Sequence, residues 1–370
     1  MKAIVLFAVA LTACGVDQVG LDGTSSAVGA PIINGTPSSA TDFPAVGVLL
    51  MHIDDNFFGE MASMACTGTL IAPDTVLLAS HCVDPVSFYG MQPEFHFSFS
   101  HDVSAYGTGT PPFALPPNTY AVTSSVMHPD WSMNALDSSV DGPGTYYDVA
   151  LAFLGAEVTD RTPAMVVGPE DSSGIIVGAA VDIVGYGSRD YDYDPYGEND
   201  ASVKYQAVSV INEVGTTEMQ IGNRNPVPQK CHGDSGGPSF LDYDDDMLPV
   251  KRLVGVTSHS YDQTDCQRGG IDTRVDAYRD WIESTMIAAC TSGKRLSCAS
   301  GGGLPVPMNN VSDGGPISDG GSISDDGGTV HPTGGGYYAS QKNDDCSQTG
   351  TSLWAGLLAM ALLARLRHRG

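Results

Sequence analysis

Ser235 lies within Gly233-Asp234-Ser235-Gly236-Gly237-Pro238, a run of small residues. Such a turn presents a hydroxyl and lets backbone N–H groups converge. Nucleophilic acyl transfer needs that arrangement, because fixed donors rather than water then hold the developing oxyanion. Two further side chains stand upstream in strand-like contexts. Thr75-Val76-Leu77-Leu78-Ala79-Ser80-His81-Cys82 is an apolar run ending in a histidine, and Tyr146 to Leu154 places Asp148 at the start of another. Singly, each would read as structural. Jointly, in the chain order His81, Asp148, Ser235, they read as the parts of one catalytic apparatus.

These three segments resemble the trypsin/chymotrypsin family of serine endopeptidases, which share that chain order. The resemblance implies roles: Ser235 as nucleophile, His81 as general base and then acid, and Asp148 holding the imidazole tautomer. It also implies an oxyanion hole from the N–H groups of Gly233 and Ser235. Ile32-Ile33-Asn34-Gly35-Thr36 resembles the family's mature amino terminus, whose freed amine pairs with the aspartate before the nucleophile, here Asp234. Val126-Met127-His128-Pro129 and Gly185-Tyr186-Gly187 match family stretches too. Val254 to Ser258 resembles the strand that binds an extended substrate, with Ser258 near the triad. The chain order and the serine turn argue against a lipase or esterase. The rival function is a catalytically silent surface binding protein on the same scaffold.

The sequence departs from the family at two places. Pro31, not a basic residue, precedes Ile32, so a trypsin-like activator would not cut there. Gln229, six positions before Ser235, stands where trypsin-like enzymes carry an acidic residue, and its neighbour Lys230 is positive. Gly270 and Asp272 align with the back wall of the same pocket. Asp272 either accepts a basic substrate side chain or neutralises Lys230, and the second is the expectation.

The fold implied is all-β: two orthogonal six-stranded β-barrels with the site in the cleft between them. Strands are expected from about Ala45 to Leu154 and from Ile175 to Val275. Apolar residues at helical spacing from Asp276 to Ala289 (Tyr278, Trp281, Ile282, Met286) predict a closing helix. A Pro/Gly-rich stretch from Tyr106 to Asn118 reads as a surface-loop insertion. Six of the eight cysteines fall into pairs within this frame. Cys66–Cys82 would flank the histidine, Cys231–Cys266 would tie the nucleophile turn to the pocket wall, and Cys290–Cys298 is inferred from what remains. That usage fits an oxidising compartment, and no short two-residue cysteine spacing suggests zinc.

The ends carry different signals. Met1 to Ala13 is a charged start and a short apolar core before Cys14, resembling a bacterial lipoprotein signal with lipid on the Cys14 thiol. Residues 14–31 then form a propeptide or tether, and 32–298 the peptidase domain. Residues 299–345, rich in Gly, Ser and Asp, have too few apolar side chains to fold and read as a flexible linker. Cys346, the apolar run Leu353 to Ala364 and the basic end Arg365, Arg367, His368, Arg369 resemble a myxobacterial surface-sorting tail over 346–370. These features imply export to the bacterial cell surface or outer membrane. The net charge of −26 disfavours nucleic acid, so the partners expected are protein or peptide substrates, plus the membrane through lipid or tail, around a monomeric enzyme. Acidic loops at Asp190, Asp192, Asp194, Glu198, Asp200 and at Asp242 to Asp246 offer the carboxylates of a structural calcium site. Solvated hairpin tips account for them equally well, and no catalytic metal or other cofactor is implied.

Overall fold

A computed structural model describes residues 32–298 and 302–304, apart from 56–58, 89–90, 137–140, 189–201, 225, 246–247 and 262–265. The terminal signals, with Cys14 and Cys346, lie outside the described residues, as does the acidic loop from Asp190 to Asp200. Among the described residues, no helix is long and apolar enough to cross a membrane.

Six antiparallel strands close the first barrel: β2 (Val46–Asp55), β3 (Gly59–Ala72), β4 (Thr75–Leu78), β5 (Glu94–Ser98), β6 (Thr119–Met127) and β7 (Ala150–Leu154), after a short edge strand β1 (Thr36–Pro37). Around the ring the order is β2-β3-β4-β7-β6-β5. β4 and β7 are continuous apolar or β-branched runs buried on both faces, so they read as core strands rather than alternating ones. Phe97 fills the barrel, and two glycines make room for it. A Cβ on Gly47 would come within 2.5 Å of its ring, and one on Gly68 within 2.9 Å. The one-turn helix α1 (Met133–Leu136) lies on the connection to β7.

β8 (Met165–Val166) leads into the second barrel, made of β9 (Ala180–Gly185), β10 (Tyr205–Val214), β11 (Glu218–Ile221), β12 (Pro238–Asp245), β13 (Leu248–Ser260) and β14 (Gly270–Arg274). Its order is β10-β11-β14-β13-β12-β9, and the β9–β10 pairing closes it. The expected pair of six-stranded barrels is therefore the architecture observed. A 3-10 turn (Asp276–Tyr278) and helix α2 (Arg279–Thr291) follow, with Ile282, Met286 and Ala289 facing the core at helical spacing. One apolar cluster runs through both barrels and α2.

Disulfides join Cys66 to Cys82, Cys231 to Cys266 and Cys290 to Cys298. The last closes a loop that carries Arg295 into the first barrel, where its Nε and Nη2 donate to Asp74 Oδ1 at 3.1 and 2.9 Å. The N–H groups of Leu296 and Ser297 each donate to the other Asp74 oxygen at 2.7 Å. Burial pushes the Asp74 carboxyl up, but these donors and the Arg295 charge hold it below its ordinary value. The insertion from Tyr106 is more than a surface loop. Tyr106 is buried with Val48, Leu50, Val103 and Tyr186, and a Cβ on Gly107 would collide with the Ala62 carbonyl.

Candidate active site

The 3-10 turn Ser80–Cys82 follows β4 directly and carries His81 to the end of the first barrel. Ser80 Oγ donates to the Val149 carbonyl at 2.7 Å, tying the histidine turn to the start of β7. Asp148 is fully buried one residue before that carbonyl. Its Oδ1 accepts the His81 backbone N–H at 3.0 Å, and its Oδ2 lies 2.7 Å from His81 Nδ1. An acceptor there keeps the proton on Nδ1 and leaves Nε2 basic. Ser258 Oγ adds a hydrogen bond to Oδ2 at 2.6 Å, and Thr273 Oγ1 donates to the Asp148 carbonyl at 3.0 Å. Burial would raise the Asp148 pKa, but the His81 charge and the donors from His81 and Ser258 hold it below the usual carboxylate value.

The backbone bends sharply to aim Asp148. Tyr147 adopts φ +57°, a left-handed conformation that a bulky side chain rarely takes. Packing on its ring holds it there: His128 stacks on Tyr147 at 5.0 Å, and Tyr278 and Trp281 close around the same histidine. The Val126-Met127-His128-Pro129 stretch thus has a physical task that sequence reading alone did not assign.

The serine turn sits on both barrels. Thr67 of β3 donates its N–H to the Ser235 carbonyl at 2.8 Å and its Oγ1 to the Gly233 carbonyl at 3.0 Å. From the second barrel, Gly236 N–H donates to the Thr257 carbonyl at 2.7 Å, and Thr257 N–H to the Gly237 carbonyl at 2.9 Å. Gly233 and Gly236 have φ +92° and +77°, so the turn needs glycine at both positions. A Cβ on Gly236 would touch Leu78 and Ala79, which places the turn directly against the segment that bears His81. Thr67 is a functional residue that sequence reading missed, since a threonine in a strand carries no local signal.

Asp234 is fully buried, and the N–H groups of Gly187 and Cys231 each donate to its carboxyl group at 2.9 Å. Burial dominates and pushes its pKa up to about 7, against those donors and the Lys230 charge. Ile32 is buried at φ +52°, and Ile33 exchanges two backbone hydrogen bonds with Gln229, at 2.8 and 3.1 Å. The segment at Ile32–Ile33 and the segment leading to the serine turn therefore lie side by side.

Where the sequence suggests a substrate pocket, Lys230 Nζ donates to both Asp272 oxygens, at 3.0 and 2.8 Å, and to Ser239 Oγ at 2.9 Å. Ser239 Oγ in turn donates to Asp272 Oδ2 at 2.7 Å. All three side chains are buried, and burial lowers the Lys230 pKa while Asp272 opposes that shift. A Cβ on Gly255 would come within 2.4 Å of the Asp272 carboxylate, so only glycine fits there. Gln229 is buried beside Lys230, and Gly270 lies against the Lys230 stem.

Val254 to Val256 cannot pair with a substrate strand. β12 and β14 occupy both edges there, the β12 pairing ending at Pro238–Val256. Among the described residues, the β12 side opens only after Thr257, which bonds the serine turn, so Ser258 to Ser260 offer that edge while His259 and Ser260 stay paired with β14 on the other side. At the hairpin after the serine turn, Asp242 pairs with Lys251 at 2.9 Å, and Asp246 is outside the described residues. The cysteine–histidine groupings at Cys66, His81, Cys82 and at Cys231, His232, Cys266 have their sulfurs committed to disulfides.

Several known proteins are similar to this chain. Phenoloxidase-activating factor 1 of Holotrichia diomphalia is 24% identical over 69% of this chain and 70% of its own. A trypsin of Saccharopolyspora erythraea is 25% identical over 67% of this chain and 95% of its own. Chymotrypsin-like elastase family member 1 of Macaca fascicularis is 26% identical over 70% and 91%. Among solved structures, mouse neuropsin, a serine protease, aligns with TM-score 0.48 and 21% identity over 69% of this chain and all of that one. The family model described as Trypsin matches residues 32–282, more than half of the sequence, and the chain belongs to the trypsin family.

Proposed function

We propose that the protein is a serine endopeptidase that hydrolyses peptide bonds through an acyl-enzyme on Ser235. One observation carries the reading: a buried Asp148 holds His81 by two hydrogen bonds, while the serine turn packs on the segment leading to that histidine. His81 takes the Ser235 proton as the hydroxyl attacks the scissile carbonyl, then returns it to the leaving amine. The oxyanion falls to the Gly233 and Ser235 N–H groups, which have no backbone acceptor among the described residues. The resulting ester is hydrolysed by water with the same base.

Ser235→Ala tests this directly. It is expected to abolish fluorophosphonate labelling and to lower kcat for peptide cleavage by about 10⁶-fold. Labelling that persists in the variant overturns the assignment.

The buried Lys230–Asp272 pair favours substrates with an uncharged side chain before the cut bond, because neither charge is free to meet a substrate ion. Cleavage of a peptide library should therefore select neutral residues at that position, and a dominant preference for Arg or Lys refutes this. Release of Ile32 would supply Asp234 with an ammonium partner, and Pro31 implies an activating protease that is not trypsin-like. The three disulfides suit an extracellular enzyme, and the Cys14 and Cys346 signals support anchoring at a bacterial surface.

A further inference from the structure

Glu218 opens β11 with no exposed surface, an expensive place for a carboxylate unless it has partners. Its Oε2 accepts the Gly144 N–H at 2.6 Å, four residues before Asp148. The same oxygen lies 3.8 Å from His259 Nε2, while Glu218 Oε1 and His259 Nε2 are both buried without a hydrogen bond among the described residues. His259 Nδ1 lies 2.9 Å from the Ser260 carbonyl, which can only accept, so the Nδ1 proton is fixed. Nε2 therefore carries a proton, and can answer Glu218, only when the ring is cationic.

The other side of that imidazole meets the aspartate segment. Tyr146 packs edge-on against His259 at 5.3 Å, and Gly144 is so close beneath the Tyr146 ring that a Cβ would come within 2.6 Å of it. Thr217, the residue before Glu218, donates to the Gly144 carbonyl at 3.0 Å. Gly142 N–H donates to the Tyr261 carbonyl at 3.1 Å. Residues 142–146 are thus laced to the second barrel immediately before the strained Tyr147 and Asp148.

We propose that Glu218 and cationic His259 are positioning residues that brace the 142–147 segment and so hold Asp148 against His81. The inference rests on the endopeptidase reading. Among the described residues, the titratable groups facing His259 are Glu218 from β11 and Tyr146 and Asp148 from the aspartate segment, none of them cationic. Burial works against the His259 charge, but Glu218, the Ser260 carbonyl and Asp148 outweigh it and raise its pKa. Deprotonation leaves the Glu218 charge buried and unmatched, and the brace loosens. Activity should therefore fall on the alkaline side as His259 loses its proton.

The test is kcat as a function of pH for the activated wild type, Glu218→Ala, Glu218→Gln and His259→Gln, with fluorophosphonate labelling of each. Glu218→Ala is expected to lose about tenfold or more in kcat with less change in KM, the effect of a slightly misplaced catalytic group. Glu218→Gln keeps an acceptor for Gly144 and should recover to within roughly threefold of wild type. The alkaline step should vanish in Glu218→Gln at a high plateau, and in His259→Gln at a low one. A wild-type kcat in Glu218→Ala, or an unchanged step in Glu218→Gln, overturns the brace. If Glu218→Ala does not fold, the Glu218→Gln and His259→Gln profiles decide alone. A wild type that is never labelled defeats the endopeptidase reading instead.

Discussion

The two barrels hold the proposed catalytic side chains by different physics. The first presents His81 and Asp148 from the ends of β4 and β7, both buried apolar strands packed around Phe97 and Phe153. Besides the buried His81–Asp148 pair itself, a second buried pair, Asp74–Arg295, sits in the β3–β4 turn. The second barrel presents Ser235 from a turn beside buried ionisable groups, Asp234 and the Lys230–Asp272 pair. Apolar packing is nearly indifferent to pH and tolerates repacking, whereas buried charges depend on every partner being present. The nucleophile side should therefore be the sensitive half of the site.

The strongest way to break this comparison is Asp272→Ala. It leaves Lys230 Nζ buried with Ser239 as its remaining partner, and removing one member of a buried pair costs about 3–5 kcal/mol. The melting temperature should fall by roughly 10 °C. Replacing both members, as Lys230→Met with Asp272→Leu, removes the unmatched charge and should restore most of that loss. Phe153→Ala in the first barrel serves as the contrast. It also costs about 3–5 kcal/mol, by opening a cavity, but no second substitution of a charged residue repairs it. If Asp272→Ala melts like the wild type, the pair does not carry the second barrel and the contrast fails.

The sequence made the histidine and aspartate segments and the serine turn legible because their signals are local, while the two-barrel plan and the disulfide partners followed from the family resemblance and from the cysteines left over. A glycine-rich turn, an apolar run ending in histidine, and strands such as Thr75 to Leu78 are each contained within a few residues. What escaped it depends on long-range pairing. Glu218 and His259 are unremarkable one by one, and Asp74 meets Arg295 across 221 positions. Asp272 shows the boundary between the two cases. Its alignment with the pocket wall was readable, but both outcomes for its charge stayed open until Lys230 and Ser239 were placed against it. The expected substrate strand, Val254 to Ser258, narrows to its Ser258 end for the same reason, since β12 and β14 flank Val254 to Val256 only in the folded sheet.

A subtler measurement sharpens the comparison through pH. In the uncleaved chain, burial lifts the Asp234 pKa from 3.8 to about 7. A carboxyl group whose folded pKa lies above its unfolded one contributes stability that is fully present below about pH 4 and lost as pH rises through about 7. Over that window the unfolded chain has already released its proton while the folded chain still holds it, so the slope of stability with pH is negative. The full loss is on the order of 4 kcal/mol, at roughly 1.4 kcal/mol per unit of pKa difference. Denaturant unfolding from pH 4 to 7 should show it in the uncleaved protein, and Asp234→Asn should flatten the slope. In the chain beginning at Ile32, an ammonium group beside Asp234 would favour the ionised carboxylate, and the slope should shrink likewise. An equally steep slope in Asp234→Asn would place the titration elsewhere. An equally steep slope after cleavage, with Asp234→Asn flat, would separate Ile32 from Asp234 and leave the nucleophile turn without its proposed activating charge.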